Sequence, residues 1–143
     1  MKGVRGLLIV LAAVAMVGCK VIPHGAVVAD VDPKGWSAEE QVSLRFSATD
    51  TASLHTIRVV ARREFDKLAE PVRLQVRVVA PDSAEVSGEV VLPVVGDRQG
   101  GSFEELKVLW VENARLNEGT YTFTLTPMHE VKGVWNVGVE IEN

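Results

Sequence analysis

The chain has 143 residues, 47% of them hydrophobic and 24% charged, with a formal net charge of −4. That balance argues against disorder, the length suits one domain, and the acidic excess argues against a nucleic-acid-binding domain. A single cysteine excludes an intramolecular disulfide framework and any multi-thiolate metal site.

The first element is a targeting segment. Lys2 and Arg5 give a positive start, and an apolar run of 13 residues follows from Gly6 to Gly18. A helix of that length reaches about 20 Å, short of the roughly 30 Å hydrocarbon core. The run therefore reads as the apolar core of a signal peptide rather than as a membrane span. It ends in Met16-Val17-Gly18-Cys19, which is similar to the lipobox of bacterial lipoproteins. The similarity implies that residues 1–18 are removed and that Cys19 becomes a lipidated amino terminus, so Cys19 is the expected lipidation site. The remaining 125 residues carry 13 basic and 19 acidic side chains, a net of −6. Two or more acyl chains anchor a protein stably, whereas one binds only marginally. Residues 19–25, with Pro23 and Gly25 and no periodicity, are expected to be the lipidated cysteine and a short tether.

Residues 26–143 are the expected folded domain. A weak strand is expected at 26–31, and period-two alternation dominates thereafter. "QVSLRFS" sets Val42, Leu44 and Phe46 against Ser43, Arg45 and Ser47. "TIRVVARR" sets Ile57, Val59 and Ala61 against Arg58 and Arg62, and "PVRLQVRVV" sets Val72, Leu74, Val76 and Val78 against Arg73, Gln75 and Arg77. "TYTFTLT" sets Tyr121, Phe123 and Leu125 against threonines, and "VWNVGVEIE" sets Trp135, Val137, Val139 and Ile141 against Asn136, Gly138, Glu140 and Glu142. Two runs, 90–95 and 106–111, are apolar on both faces; Pro93 marks the first as an edge or bulged strand. Ser37-x-x-Glu40 and Ser102-x-x-Glu105 match capping boxes, but strand pattern follows each, so each marks one helical turn at most. About eight short strands without helices predict an all-β chain: a single antiparallel β-sandwich of immunoglobulin-like or jelly-roll type. In "LNEGTY", Leu116, Gly119 and Tyr121 stand at the spacing of a tyrosine corner.

Chemistry is sparse. His24, His55 and His129 have no partner at metal-ligand spacing and read as surface or loop residues. "DVDPKG" opens like a calcium loop but lacks ligands at its fifth and twelfth positions, so no metal is expected. No nucleophile motif occurs, and nothing in the residues supports catalysis or a cofactor. Of eight aromatic residues, Phe46, Trp110, Tyr121, Phe123 and Trp135 fall in strands and read as core. Trp36, Phe65 and Phe103 remain in or near loops and are the candidate partner contacts.

The C-terminal third, "ENARLNEGTYTFTLTPMHE" and "VKGVWNVGVEIEN", resembles the end of the GldH family, gliding-motility-associated lipoproteins of the Bacteroidota. The matching positions are Gly119, Tyr121, Phe123, Met128, Gly133, Val134, Asn136, Val137 and Gly138, with Trp36 and "VSLRF" matching upstream. His129 stands where the family has Arg, Asn136 where it has Asp, and the family's middle segment appears only as "FDKLAEPVRL". The resemblance implies a non-catalytic outer-membrane lipoprotein that supports gliding and type IX secretion by binding envelope proteins. The resemblance also implies that surface display needs acidic residues soon after the cysteine; "CKVIPHG" has Lys20 and no acid, which favours the periplasmic face. The alternative is a ligand-binding lipoprotein unrelated to motility, for example one that binds glycans. Neither reading involves a small-molecule substrate or nucleic acid.

Overall fold

The computed structural model describes residues 20–22, 25–64, 70–93 and 103–143. They form nine strands: β1 (Lys20–Ile22), β2 (Ala26–Asp30), β3 (Val42–Ala48), β4 (Leu54–Glu64), β5 (Val72–Val79), β6 (Glu85–Leu92), β7 (Phe103–Arg115), β8 (Gly119–Pro127) and β9 (Val134–Glu142). The larger sheet has the order β1-β2-β9-β4-β7 and the smaller β3-β8-β5-β6. All pairings are antiparallel. Strands β2 to β9 are wound as a jelly roll: β2 with β9, β3 with β8, β4 with β7 and β5 with β6 form nested pairs folded into two sheets. This resolves the two expected sandwich types in favour of the jelly roll. No helix of the described residues is long and apolar enough to cross a membrane.

Alternation places the core. Leu44, Leu74, Val76, Phe123 and Leu125 of the smaller sheet face Val27, Val59, Leu106, Val137 and Val139 of the larger, all buried. Burying one such side chain stabilises the fold by about 1.5–3 kcal/mol. The Ala80–Ala84 turn joins β5 to β6, with the Ala80 amide donating to the Ala84 carbonyl at 2.8 Å. β6 is the edge of its sheet and stops one residue before Pro93, as a residue without an amide donor requires. The expected tyrosine-corner bond is present: the Asn117 amide donates to the Tyr121 hydroxyl at 2.8 Å. Gly119, between them, has φ of +130°, and a Cβ there would lie 2.7 Å from Pro81.

Two sequence expectations are revised and a third, the single turn after Ser37, is met. Lys20–Ile22, expected in a tether, pair with β2, so the sheet begins one residue after Cys19. Ser37–Glu40 does form one turn, a 3-10 turn at Ala38–Glu40, but without a side-chain cap. β7 starts at Phe103, expected in a loop, and runs for 13 residues, twice the apolar run that announced it.

Candidate functional site

The inward face of β4 reads His55, Ile57, Val59, Ala61, Arg63. The two ends of the strand therefore carry buried polar groups, and each end has its own surface feature.

At the Arg63 end, β9 carries a bulge. Arg62 pairs with Asn136 and Arg63 with Val134, so Trp135 has no counterpart on β4. The extra residue shifts the alternation by one. Val134 turns into the core and Trp135, expected in the core, turns out and is 42% exposed. Its indole N–H donates to Glu64 Oε1 at 3.0 Å. Glu64 stands opposite Phe103 in the β4–β7 register. The Phe103 ring meets Trp135 edge to face, with centroids 6.1 Å apart and planes at 78°. The Arg62 guanidinium lies 4.6 Å from the Phe103 centroid, a contact worth about 0.5–1 kcal/mol at an exposed site. Four side chains from three strands thus hold two aromatic rings at the surface in one orientation.

Beneath this platform Arg63 is 2% exposed. Its Nη1 donates to the Glu70 carbonyl at 2.9 Å and its Nη2 to Glu104 Oε1 at 3.5 Å. The charges sit inside the sheet sandwich because Glu104 alternates inward on β7 as Arg63 does on β4.

Of the candidate contacts read from the sequence, Phe103 is at the platform. Trp36 is not a surface residue: it is 1% exposed. Its backbone bridges Val131 in both directions at 2.8 Å, and its indole N–H donates to the Glu40 carbonyl at 2.7 Å. The loop folds the ring into the core, so Trp36 offers nothing to a partner. Phe65 and Cys19 lie outside the described residues. Trp135 is the residue that alternation missed. One signal marked it: Val134 and Val137 are three apart, an odd spacing that a strand tolerates only by slipping phase.

At the opposite end His55, expected on the surface, is buried. Its Nε2 bonds to the Asp50 carbonyl at 3.1 Å, so that nitrogen carries the proton, and Nδ1 has no partner among the described residues. Asp50 Oδ1 accepts the amides of Ala52 and Ser53, both at 3.0 Å. The Ser53 side chain, then the Ser53 and Ala52 amides, hold the Asp50 carboxyl below its ordinary value. His55, Asp50, Thr49, Glu142 and Asn143, together with apolar side chains, line a mixed cavity of about 430 Å³.

Next to it an apolar cleft of about 400 Å³ opens between the sheets, lined among others by Val78, Val86, Trp110, Ala114 and Tyr121. The second half of β7 forms part of its wall. Ile57 pairs with Val111 but Arg58 with Leu109, leaving Trp110 without a counterpart. A further residue is extra between Val111 and Ala114, where Asn113 has φ of +57°. Trp110, expected in the core, is half-buried in the cleft wall. Phe46, Leu116 and Ile141 line both cavities. Among the described residues no group of three or more His, Cys, Asp or Glu side chains could hold a metal ion.

No family model matches the chain, and no curated protein matches it. Solved structures do. A family 61 carbohydrate-binding module, TmCBM61, in complex with beta-1,4-galactotriose is 16% identical over 81% of this chain and 68% of that one, with a TM-score of 0.40. A tryptic core variant of Bacillus thuringiensis Cry1Da is 13% identical over 85% of this chain and 21% of that one, with a TM-score of 0.47. A family 16 carbohydrate-binding module-2 is 8% identical over 90% and 92%, with a TM-score of 0.36. These likenesses are of architecture alone, and what those proteins bind is not carried to this chain.

Proposed function

We propose that the protein is a non-catalytic, lipid-anchored binding module that serves an envelope machine of the gliding and type IX secretion kind. Its recognition surface is the Trp135–Phe103 platform. The observation that carries this reading is the pair of exposed rings pinned by Glu64 and Arg62. Trp and Arg lead the residues that dominate protein–protein binding energy, and rings held in place before binding lose little entropy on contact. The lipobox-like end supplies the anchor on Cys19, and Lys20 favours the periplasmic side of the outer membrane. Because β1 begins at Lys20, an anchor on Cys19 holds the sandwich close to the bilayer rather than on a long tether.

Deletion of the gene is expected to disturb colony spreading or type IX cargo secretion, with wild type restoring both. Cys19→Ala is expected to fold normally but to leave the outer-membrane fraction after a high-salt wash. Unchanged secretion and spreading in the deletion strain would contradict the machinery role, and a membrane-retained Cys19→Ala protein would contradict the anchor.

Glycan binding is the second reading, favoured by the same platform. An indole face beside Glu64 and Asn136 offers the apolar surface and polar edge that a sugar ring needs. Saturable glycan binding by the wild type that is lost in Trp135→Ala would select it.

A further inference from the structure

The two cavities at the His55 end share the side chains of Phe46, Leu116 and Ile141 as walls, yet differ in chemistry. In the apolar cleft every lining residue is aliphatic or aromatic. The Tyr121 hydroxyl, one of its few heteroatoms, is already engaged by the Asn117 amide. The volume, about 400 Å³, falls in the ordinary range for ligand pockets of roughly 300–1,000 Å³. The mouth is open: Val86 is 62% exposed, and Val111 is exposed beside it. Such a cleft takes hydrocarbon and offers no handle for a polar group.

The neighbouring cavity supplies what the cleft lacks. Asp50 and Glu142 present carboxylates, Asn143 an amide, and Ser47 and Thr49 hydroxyls. One carboxylate, Glu142, is paired with Arg58. Asp50 has its Oδ2 turned toward the Asn143 amide at 3.4 Å. This rim disfavours an anionic head by like-charge repulsion and suits hydroxyl groups, which both donate and accept.

We infer that the open end of the jelly roll is a binding site for a single-chain amphiphile. Its alkyl chain lies in the cleft between β6 and β7, and its neutral, hydroxylated head lies against Asp50 and Asn143. The bulged stretch of β7, with its register shifts at Trp110 and before Ala114, supplies Trp110, Val111 and Ala114 to the cleft wall.

The test uses the full chain reconstituted in phosphatidylcholine vesicles and a dodecyl maltoside whose chain carries bromine, added below its micellar concentration. Trp110 lines the cleft, whereas Trp36 is buried and Trp135 sits at the other end, so quenching reports the cleft. Saturable quenching is expected, with dodecyl sulfate carrying the same brominated chain at least tenfold weaker. Ala114→Phe fills the cleft, and Val86→Asp places a charge at its exposed mouth without entering the core; each is expected to abolish the saturable component. Absence of saturable quenching by wild type, or quenching that both variants leave intact, overturns the site. Equal quenching by the sulfate overturns the assignment of the head.

Discussion

The larger sheet uses one device, the β-bulge, in two places, with opposite results. β9 runs between β2 and β4, and its single extra residue, Trp135, lies just past the end of β2. Both neighbours hold the strand: the Val31 amide donates to the Trp135 carbonyl at 3.0 Å, and the β4 register resumes at once. The backbone cannot move away, so the bulge only re-aims a side chain, and an aromatic ring expected in the core reaches the surface. In β7 the extra residues fall on an edge strand with one neighbour. Its other side is unpaired, and the apolar cleft lies against its bulged half. The bulge in the central strand turns a ring to the surface, and the bulged stretch of the edge strand lines a cavity. The buried polar groups follow the same division. Arg63 lies under the central bulge with acceptors from Glu70 and Glu104, and His55 lies by the cavities bonded to the Asp50 carbonyl; Arg63 Nε and His55 Nδ1 are both unmatched among the described residues.

This contrast can be broken from either side. Arg63→Ala should have the largest effect, because it removes a buried guanidinium bonded to the Glu70 carbonyl and to Glu104 Oε1. A loss of about 3–5 kcal/mol is expected by denaturant titration, and a loss below about 1 kcal/mol would show that the layer under the platform is not structural. Gly138→Ala attacks the restraint on β9. A Cβ there would lie 2.2 Å from the Val27 carbonyl oxygen, so β9 could not keep its place against β2. The expected cost is about 1–3 kcal/mol, with accelerated exchange of β2 and β9 amides. Tyr121→Phe removes the corner bond at the cleft end and should cost about 1 kcal/mol. The Asp50 loop gives the smallest effect. Its carboxyl is depressed, so its contribution is fully present above the unfolded value of 3.8 and is lost as pH falls through the lower folded value. Amide exchange at Ala52 and Ser53, corrected for its intrinsic pH dependence, should therefore stay protected at pH 5 and rise only below the ordinary aspartate range. Loss of protection between pH 5 and 7 would contradict the cap.

Much of the sandwich is legible in the residues. Leu44, Leu74, Val76, Phe123 and Leu125 alternate without interruption and are buried as read, Pro93 marks the β6 edge, and "LNEGTY" marks the corner. The misread tryptophans of the strands share one physical cause. Alternation assigns faces only while its phase holds, and Trp135, Trp110 and Asn113 sit where an extra residue shifts it. Arg63 and His55 keep the phase of β4, but a polar side chain in alternation does not announce burial. Burial there depends on acceptors from Glu70, Glu104 and Asp50, which are near in space and invisible to a local pattern. Trp36 looked like a loop residue because its strand-like bridge to Val131 joins segments 95 residues apart.

The central claim is that the bulge at Trp135 delivers a recognition surface and not merely an exposed ring. The direct measurement is complementation of a strain lacking the gene with the Trp135→Ala/Phe103→Ala double variant. Both rings are outside the core, so expression, membrane fractionation and thermal unfolding should match wild type to within about 1 kcal/mol. The account predicts that this folded, anchored protein fails to restore spreading and cargo secretion; full restoration would contradict it.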